Sequence, residues 1–568
     1  MKKHTAAIIA AYPLLQQALT AKSMSIKTLL LAVALFTGTL FVVWSTQAAQ
    51  PTANDKAAMK VERKFRQYKR VHQELLKKIL EKDVDTAIAE MNEILSIVPK
   101  DGETHLMLAL AYCQKNELPH ALAHTRQAIE KGVPVSRFMA GEYSGFKKLW
   151  SVPEFHALTK RETLLPAHGP TLGHLSHDAI TVWLRTHGSR TLQVSAHSKE
   201  QQHTIESEPF TTSSDHDFIA KIRLKNLKPD AEYSYSITID GRTTQSTEWR
   251  FSTFNRPDAP IRFTVAFGGG AGYVPQHEKM WSTIHRKSPD LLLLLGDNVY
   301  SDDPTTHQMQ RYCYYRRQSR PEYRSLTSQT PTYTIWDDHD FGTNDCQGGP
   351  QILIPEWKPD VLEVFKENWP NPGFGSDAAP GCFYDFKIGD VHFIMLDGRY
   401  YRDLQKSDSD SSMLGPVQLQ WLFDTVSQSD STIKVLVSPV PWVFGAKGDS
   451  RDTWNGFKHE RERIFEFLNE HSVDGIVLMS ADRHRSDLWR IPRADTYDLY
   501  ELNSSRLTNQ HVHKTMPEAV FSYNKKQSYG HVTFDTKTDD AGVTYKIINI
   551  DGDVIFSHHI SLSDLIND

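Results

Sequence analysis

Leu291-Leu292-Leu293-Leu294-Leu295-Gly296-Asp297-Asn298-Val299-Tyr300 is the stretch that decides how the rest of the chain is read. Five consecutive leucines with no polar alternation fit a strand buried on both faces, as in parallel sheets covered by helices. Gly296 then allows a tight turn and a close approach of backbone to a bound ion. Asp297 and Tyr300 follow at the strand's carboxyl end, where layered α/β folds place their chemistry. A Gly-Asp turn on its own is most often structural, so its neighbours carry the decision.

Two further runs repeat the pattern. Tyr333-Thr334-Ile335 leads into Trp336-Asp337-Asp338-His339-Asp340, and Ile476-Val477-Leu478-Met479 leads into Ser480-Ala481-Asp482-Arg483-His484. Three carboxylates and an imidazole framed by Ile335, Trp336 and Phe341 repel one another, and a divalent cation relieves that repulsion. An Asp-x-His after a strand directs a hard and a borderline ligand at one site. Leu396-Asp397-Gly398-Arg399 adds a guanidinium suited to bidentate phosphate recognition, with an internal salt bridge to Asp397 as the alternative.

The expected site therefore has Asp297, Tyr300, Asp338, Asp482 and His484 as metal ligands, His339 as acid or electrophilic partner, and Arg399 on phosphate. That set suits two metal ions about 3.5–4 Å apart, a metal-bound hydroxide nucleophile and in-line attack on phosphorus. No G-x-S-x-G elbow supports a serine hydrolase, and Phe267-Gly268-Gly269-Gly270-Ala271-Gly272 lacks the Lys-Ser/Thr of a P-loop.

Outward from the site, residues 261–267, 391–396, 433–437 and 476–479 read as buried strands, with helical period over 418–426 and 459–469. Residues 260–568 are thus expected to form a layered α/β domain of sheets flanked by helices. Ahead of it, residues 166–256 change to period two, with strands at 179–184 and 233–238 and an Asp240-Gly241 turn, which fits a β-sandwich. Leu227-Lys228-Pro229-Asp230-Ala231-Glu232-Tyr233 resembles the proline and tyrosine-corner segment of fibronectin type III domains. Residues 55–163 are helical. A repeat of 34 residues, Ala87, Met91 and Ile94 recurring as Ala121, Thr125 and Ala128, resembles a tetratricopeptide repeat. Such a segment either packs on the next domain or offers a groove to a protein partner.

At 568 residues the chain is long enough for three or four such units, and with 39% hydrophobic and 23% charged residues it is neither disordered nor polytopic in a membrane. The net charge of −5 offers no overall attraction to nucleic acid, so an anionic substrate must be held locally. Four scattered cysteines without C-x-x-C spacing argue against a thiolate zinc site and against a disulfide scaffold. Residues 1–49 read as a signal peptide: Lys27, an uncharged apolar run from Leu29 to Trp44, then Ala48 or Ala49 for cleavage. An uncleaved single membrane anchor is the alternative, although the run is short of the roughly 20 residues a spanning helix needs. The expected location is extracytoplasmic, periplasmic or secreted.

GDNVY (296–300), WDDHD (336–340), LDGRYYRD (396–403), MLGPVQLQWL (413–422), DTWNGF (452–457) and SADRH (480–484) together resemble the alkaline phosphatase D, or PhoD-like, family of metallophosphatases. The resemblance implies that Asp297 binds or bridges metal and that Tyr300 is an iron-type ligand. It also sets Asp338 at a superfamily Asn ligand, His339 at the catalytic His, and Asp482 and His484 in the last metal motif. It implies calcium and iron, phosphomonoesterase or phosphodiesterase activity and export; manganese and zinc are alternatives. The chain departs from the family pattern at Gly269-Gly270, where members carry a Ser-Cys that ligates iron, with His277 or Cys313 as substitutes, and at Ala481, where members carry Gly. A purple acid phosphatase is disfavoured by the missing first-strand Asp motif and by the expectation that no His-x-His closes the site.

The reading is an exported metal-dependent phosphoesterase. The alternative is a metal-binding phosphatase-like protein of little or no turnover, recruiting a partner through its helical repeats.

Overall fold

A computed structural model describes residues 60–62, 65, 67–141, 145–160, 165–200, 202–494 and 496–567. The expected signal peptide or anchor lies outside the described residues. Among the described residues no helix is long and apolar enough to cross a membrane.

The sequence-expected helical region contains α1 (Tyr68–Leu80), α2 (Val84–Ile97), α3 (Gly102–Gln114) and α4 (Leu118–Glu130). The small residues of the repeat, Ala87, Ala121 and Ala128, are fully buried, which lets the helices approach closely. Asp101 caps α3 by accepting from Thr104 N at 2.9 Å. The same carboxylate receives Tyr68 Oη at 2.5 Å and contacts His72 Nε2 at 3.0 Å, which fixes α1 against α3. The segment packs on the C-terminal α/β domain through Glu103, which pairs with Arg137 at 2.6 Å and accepts from Tyr312 Oη at 2.8 Å.

Two antiparallel sheets follow in a sandwich-like arrangement. One holds His168–Gly173, Ile180–Arg185 and Ile219–Leu224; the other is built on Thr191–Ser198, Glu232–Ile239 and Arg242–Ser252. Asp240 and Gly241, both with positive φ, make the two-residue hairpin turn. Tyr233 Oη accepts from Lys228 N at 2.9 Å, bracing the corner that the sequence singled out.

The remaining chain forms two large sheets. The first has the order β3-β2-β1-β11-β12-β13, where β1 is Arg262–Gly268, β2 Leu291–Leu295, β3 Thr332–Ile335, β11 Ser528–Asp535, β12 Gly542–Asn549 and β13 Val554–Ser561. The second has the order β4-β5-β6-β7-β9-β8-β10, with β4 Tyr384–Ile388, β5 Val391–Met395, β6 Ile433–Val437, β7 Ile476–Ser480, β8 Ser486–Ile491, β9 Leu499–Ser504 and β10 Phe521–Tyr523. Phe263 of the first sheet meets Phe393 of the second at 6.2 Å between ring centroids, so the core lies between the sheets. Every leucine of β2 is buried. Strands β1, β2 and β3 run parallel, as do β5, β6, β7 and β9. Their carboxyl ends therefore point the same way within each sheet, and the polar clusters read from the sequence converge there.

Candidate metal centre and its cleft

Parallel pairing of Leu295 with Ile335 brings the turn after β2 beside the turn after β3. Gly296, at φ +96°, makes this approach feasible, since a Cβ there would lie 2.5 Å from Asp337 Cβ. Asp340 locks the two turns together by accepting from Asn298 N at 2.9 Å and Val299 N at 3.0 Å. Asp297 is buried in the floor; Tyr300 Oη donates to its Oδ2 at 2.5 Å and accepts from Asn509 Nδ2 at 2.6 Å.

Ligand atoms of Asp297, Asp338 and His339 all lie within 4.8 Å of one another. Asp297 Oδ1 is buried without a hydrogen-bond partner. Burial, reinforced by Asp338, Asp337 and Asp340, pushes the Asp297 carboxyl well above the usual carboxylate range, with His339 opposing. A second group, Asp338, Asp345 and Asp452, shares Asp338. It is already largely neutralised, because Lys447 Nζ sits 2.7 Å from Asp452 and 3.2 Å from Asp345. In the first group, by contrast, Asp297 Oδ1 has no hydrogen-bond partner among the described residues. Its oxygen and imidazole donors, with one carboxylate oxygen left unpartnered in the interior, fit a hard or borderline metal ion.

His339 is held from behind: its Nδ1 pairs with Asp302, and its ring lies 4.3 Å from that of Tyr300. Burial lowers its pKa, but the charges of Asp297 and Asp338 and the Asp302 hydrogen bond outweigh burial and raise it to about 10. Asp482 pairs with Arg483 at 2.8 Å. Burial would raise its pKa, yet Arg483 and Lys447 hold it below the ordinary carboxylate range. His484 is pushed down by burial, stays neutral, and keeps Nδ1 without a partner. Asp297, Tyr300, Asp482 and His484 all have positive φ, between +36° and +59°. Non-glycine residues rarely adopt that region, and such strain gathers at functional turns.

Asp338, His339, Asp482 and His484 line one polar cleft of about 520 Å³, together with Lys69, Arg70, Lys447, Arg483 and Asn509. Arg399, expected to grip phosphate, is placed differently. It is fully buried, with Nε on Asp337 Oδ1 at 2.5 Å and Nη1 on Asp452 Oδ1 at 2.8 Å. Asp397 is not its salt-bridge partner; that carboxylate accepts the Arg399 backbone N–H at 2.8 Å. Among the described residues, neither His277 nor Cys313 joins the metal-competent groups. His277 contacts Thr508 O at 3.1 Å, and Cys313 faces Gln73 and the Tyr300 carbonyl. At Gly270, φ +67°, an added Cβ would sit 3.3 Å from His484 Nδ1, so the position adjoins the site and supplies no ligand atom to it.

Several cleft residues were not expected. Lys69 and Arg70 come from α1, far away in sequence. Lys447 of the cleft, and Asp302 behind His339, gave no signal apart from being charged residues near turns. A His-x-His does stand at the cleft, contrary to expectation: His511 and His513 flank His484 with ring centroids at 5.1 and 5.2 Å. The signal was present as His511-Val512-His513 after β9.

Residues 265–544 match the PhoD-like phosphatase family, and residues 164–254 match a domain of unknown function, DUF7800. Alkaline phosphatase D of Bacillus subtilis (strain 168) is 24% identical over 317 residues, covering 47% of this chain and 53% of that protein. Purple acid phosphatase 15 of Arabidopsis thaliana is 25% identical over 235 residues, 40% of each chain. The chain thus spans about half or less of the length of these curated relatives. A solved structure of PhoD aligns with a TM-score of 0.56 at 17% identity, covering 69% of this chain and 91% of that one, which shows a shared fold.

Proposed function

We propose, from the premise that residues 265–544 belong to the PhoD-like phosphatase family, that the chain is a metal-dependent phosphoesterase hydrolysing phosphate mono- or diesters. The observation that carries this is the buried group of Asp297, Asp338 and His339 at the carboxyl ends of β2 and β3, with Asp297 Oδ1 unpartnered. Asp297, Asp338, Asp482 and His484 would hold metal, with Tyr300 joining Asp297 once its phenol is deprotonated. Metal ions bound there would supply Lewis acidity and an activated water at neutral pH. Calcium and iron are the ions favoured by family likeness, with manganese and zinc as alternatives.

Asp302 fixes the His339 ring through Nδ1, which leaves Nε2 to hold or donate a proton to a phosphoryl or leaving-group oxygen. Arg399 draws Asp337 and Asp452 together across the two sheets and so positions the turn bearing Asp338. Export is proposed on the apolar run at residues 29–44 and the small residues after it. Cell fractionation, with N-terminal sequencing of the mature chain, reads that point.

Turnover of p-nitrophenyl phosphate and bis-p-nitrophenyl phosphate tests the activity. Asp297→Ala and His484→Ala are each expected to lower kcat by about 10²–10³-fold, the scale of removing charge stabilisation at a transition state. A second reading, metal binding with little or no turnover, rests on Gly270 adjoining His484 without offering a ligand atom. Stoichiometric metal with neither ester hydrolysed decides for it.

A further inference from the structure

Four cations line the cleft, and three are already committed. Lys447 is bound to Asp452 and Asp345, Arg483 to Asp482, and Arg70 Nε stands 3.4 Å from Asp302. Lys69 is the exception: among the described residues its Nζ has no carboxylate partner and lies 3.3 Å above the centroid of the Tyr300 ring. That ring bonds Asp297 through its hydroxyl and stacks near His339, so the ammonium stands beside the candidate metal group.

Its placement is built in. The Lys69 stem runs against Gly272, in the loop after β1, where an added Cβ would lie 3.2 Å from Lys69 Cδ. Gln73, one turn further along α1, donates to Tyr300 O at 2.6 Å and Ser301 O at 3.1 Å. Arg316 Nη2 donates to Lys69 O at 3.3 Å. On its far side α1 is fixed by Tyr68 and His72 on Asp101. Contacts from both domains thus hold α1 at the cleft.

We propose that Lys69 is a substrate-binding residue of this site, its ammonium receiving a non-bridging phosphate oxygen, so that the helical segment forms one wall of the active site. The inference rests on the phosphoesterase reading. An ammonium held in place outside any direct carboxylate pair, with only the field of Asp297, Asp302 and Asp338 acting on it, has its N–H donors free for an incoming phosphate, whereas the guanidinium of Arg399 is saturated by carboxylates.

The test compares full-length wild type, Lys69→Ala, Lys69→Arg and Lys77→Ala, the last an exposed lysine of the same helix. It reads p-nitrophenyl phosphate kinetics, competitive inhibition by inorganic phosphate, and bound metal. Lys69→Ala is expected to raise KM and the phosphate inhibition constant together by about tenfold or more with metal content unchanged. Lys69→Arg should recover most of the loss, and Lys77→Ala should behave as wild type. KM and inhibition constant within about twofold of wild type in Lys69→Ala overturn the proposal. So does a KM change that disappears once lost metal is restored. Should the wild type hydrolyse neither ester, the phosphoesterase reading fails by itself. Calorimetric binding of inorganic phosphate to the metal-loaded variants then decides: weakening in Lys69→Ala supports the proposal, and equal or absent binding overturns it.

Discussion

The three aspartates of Trp336-Asp337-Asp338-His339-Asp340 look equivalent in the sequence, yet each does something different. Asp338 faces the metal-competent group, Asp337 holds Arg399, and Asp340 accepts backbone N–H groups from the neighbouring turn. The carboxylate-rich pattern made the site legible, but the division of labour depends on partners 41 to 62 residues away, which no local pattern encodes. Arg399 shows the same limit: its chemistry suits phosphate, but Asp337 and Asp452 reach it first. Arg399→Ala should leave the buried Asp337 carboxylate without its cation, while Asp452 keeps Lys447 and Arg402, and cost about 3–5 kcal/mol of stability, read by urea unfolding. A raised KM with unaltered stability would instead return Arg399 to the phosphate. Asp302→Asn should loosen the His339 ring and lower kcat by about 10–100-fold, with a smaller change in KM.

At the scale of elements, the buried strands were readable because their signal is local. The run 291–295 matches β2 residue for residue, and 433–437 matches β6. Which strands pair was not readable, since β1 lies between β2 and β11, and β1 and its partner β11 are more than 250 residues apart in sequence. Helix α3 offers a measurable consequence of such long-range pairing. Burial alone would raise the Glu103 carboxyl, but Arg137 holds it down to about 2, below the ordinary Glu value of 4.5. A depressed folded pKa contributes stability that is complete above the unfolded value and is lost as pH falls through the folded one. Acidification from pH 5 should therefore weaken the docking of α3 on Tyr312 progressively between about pH 4.5 and 2. Limited proteolysis of the 68–130 region across that range reads it; uniform protection down to pH 2 would contradict the pairing.

Across the whole molecule, the helical segment, the sandwich-like sheets and the C-terminal α/β domain are not three independent beads. Arg185 of the sandwich binds Asp217 at 3.0 Å and reaches Gln318 and Asn368 of the following domain at 2.7 and 2.9 Å. Glu103, Gln73 and Lys69 tie the helical segment to the same domain. Changes of period along the sequence suggest the units, whereas the meeting of the helical segment and the C-terminal α/β domain at one cleft comes only from tertiary packing. Everything proposed about chemistry depends on metal occupying the group at Asp297. The most direct measurement is elemental analysis of full-length protein purified from its native compartment, wild type beside Asp297→Ala. Stoichiometric metal in the wild type that is lost in the variant is the expected result; a wild type that carries no metal would contradict the whole scheme.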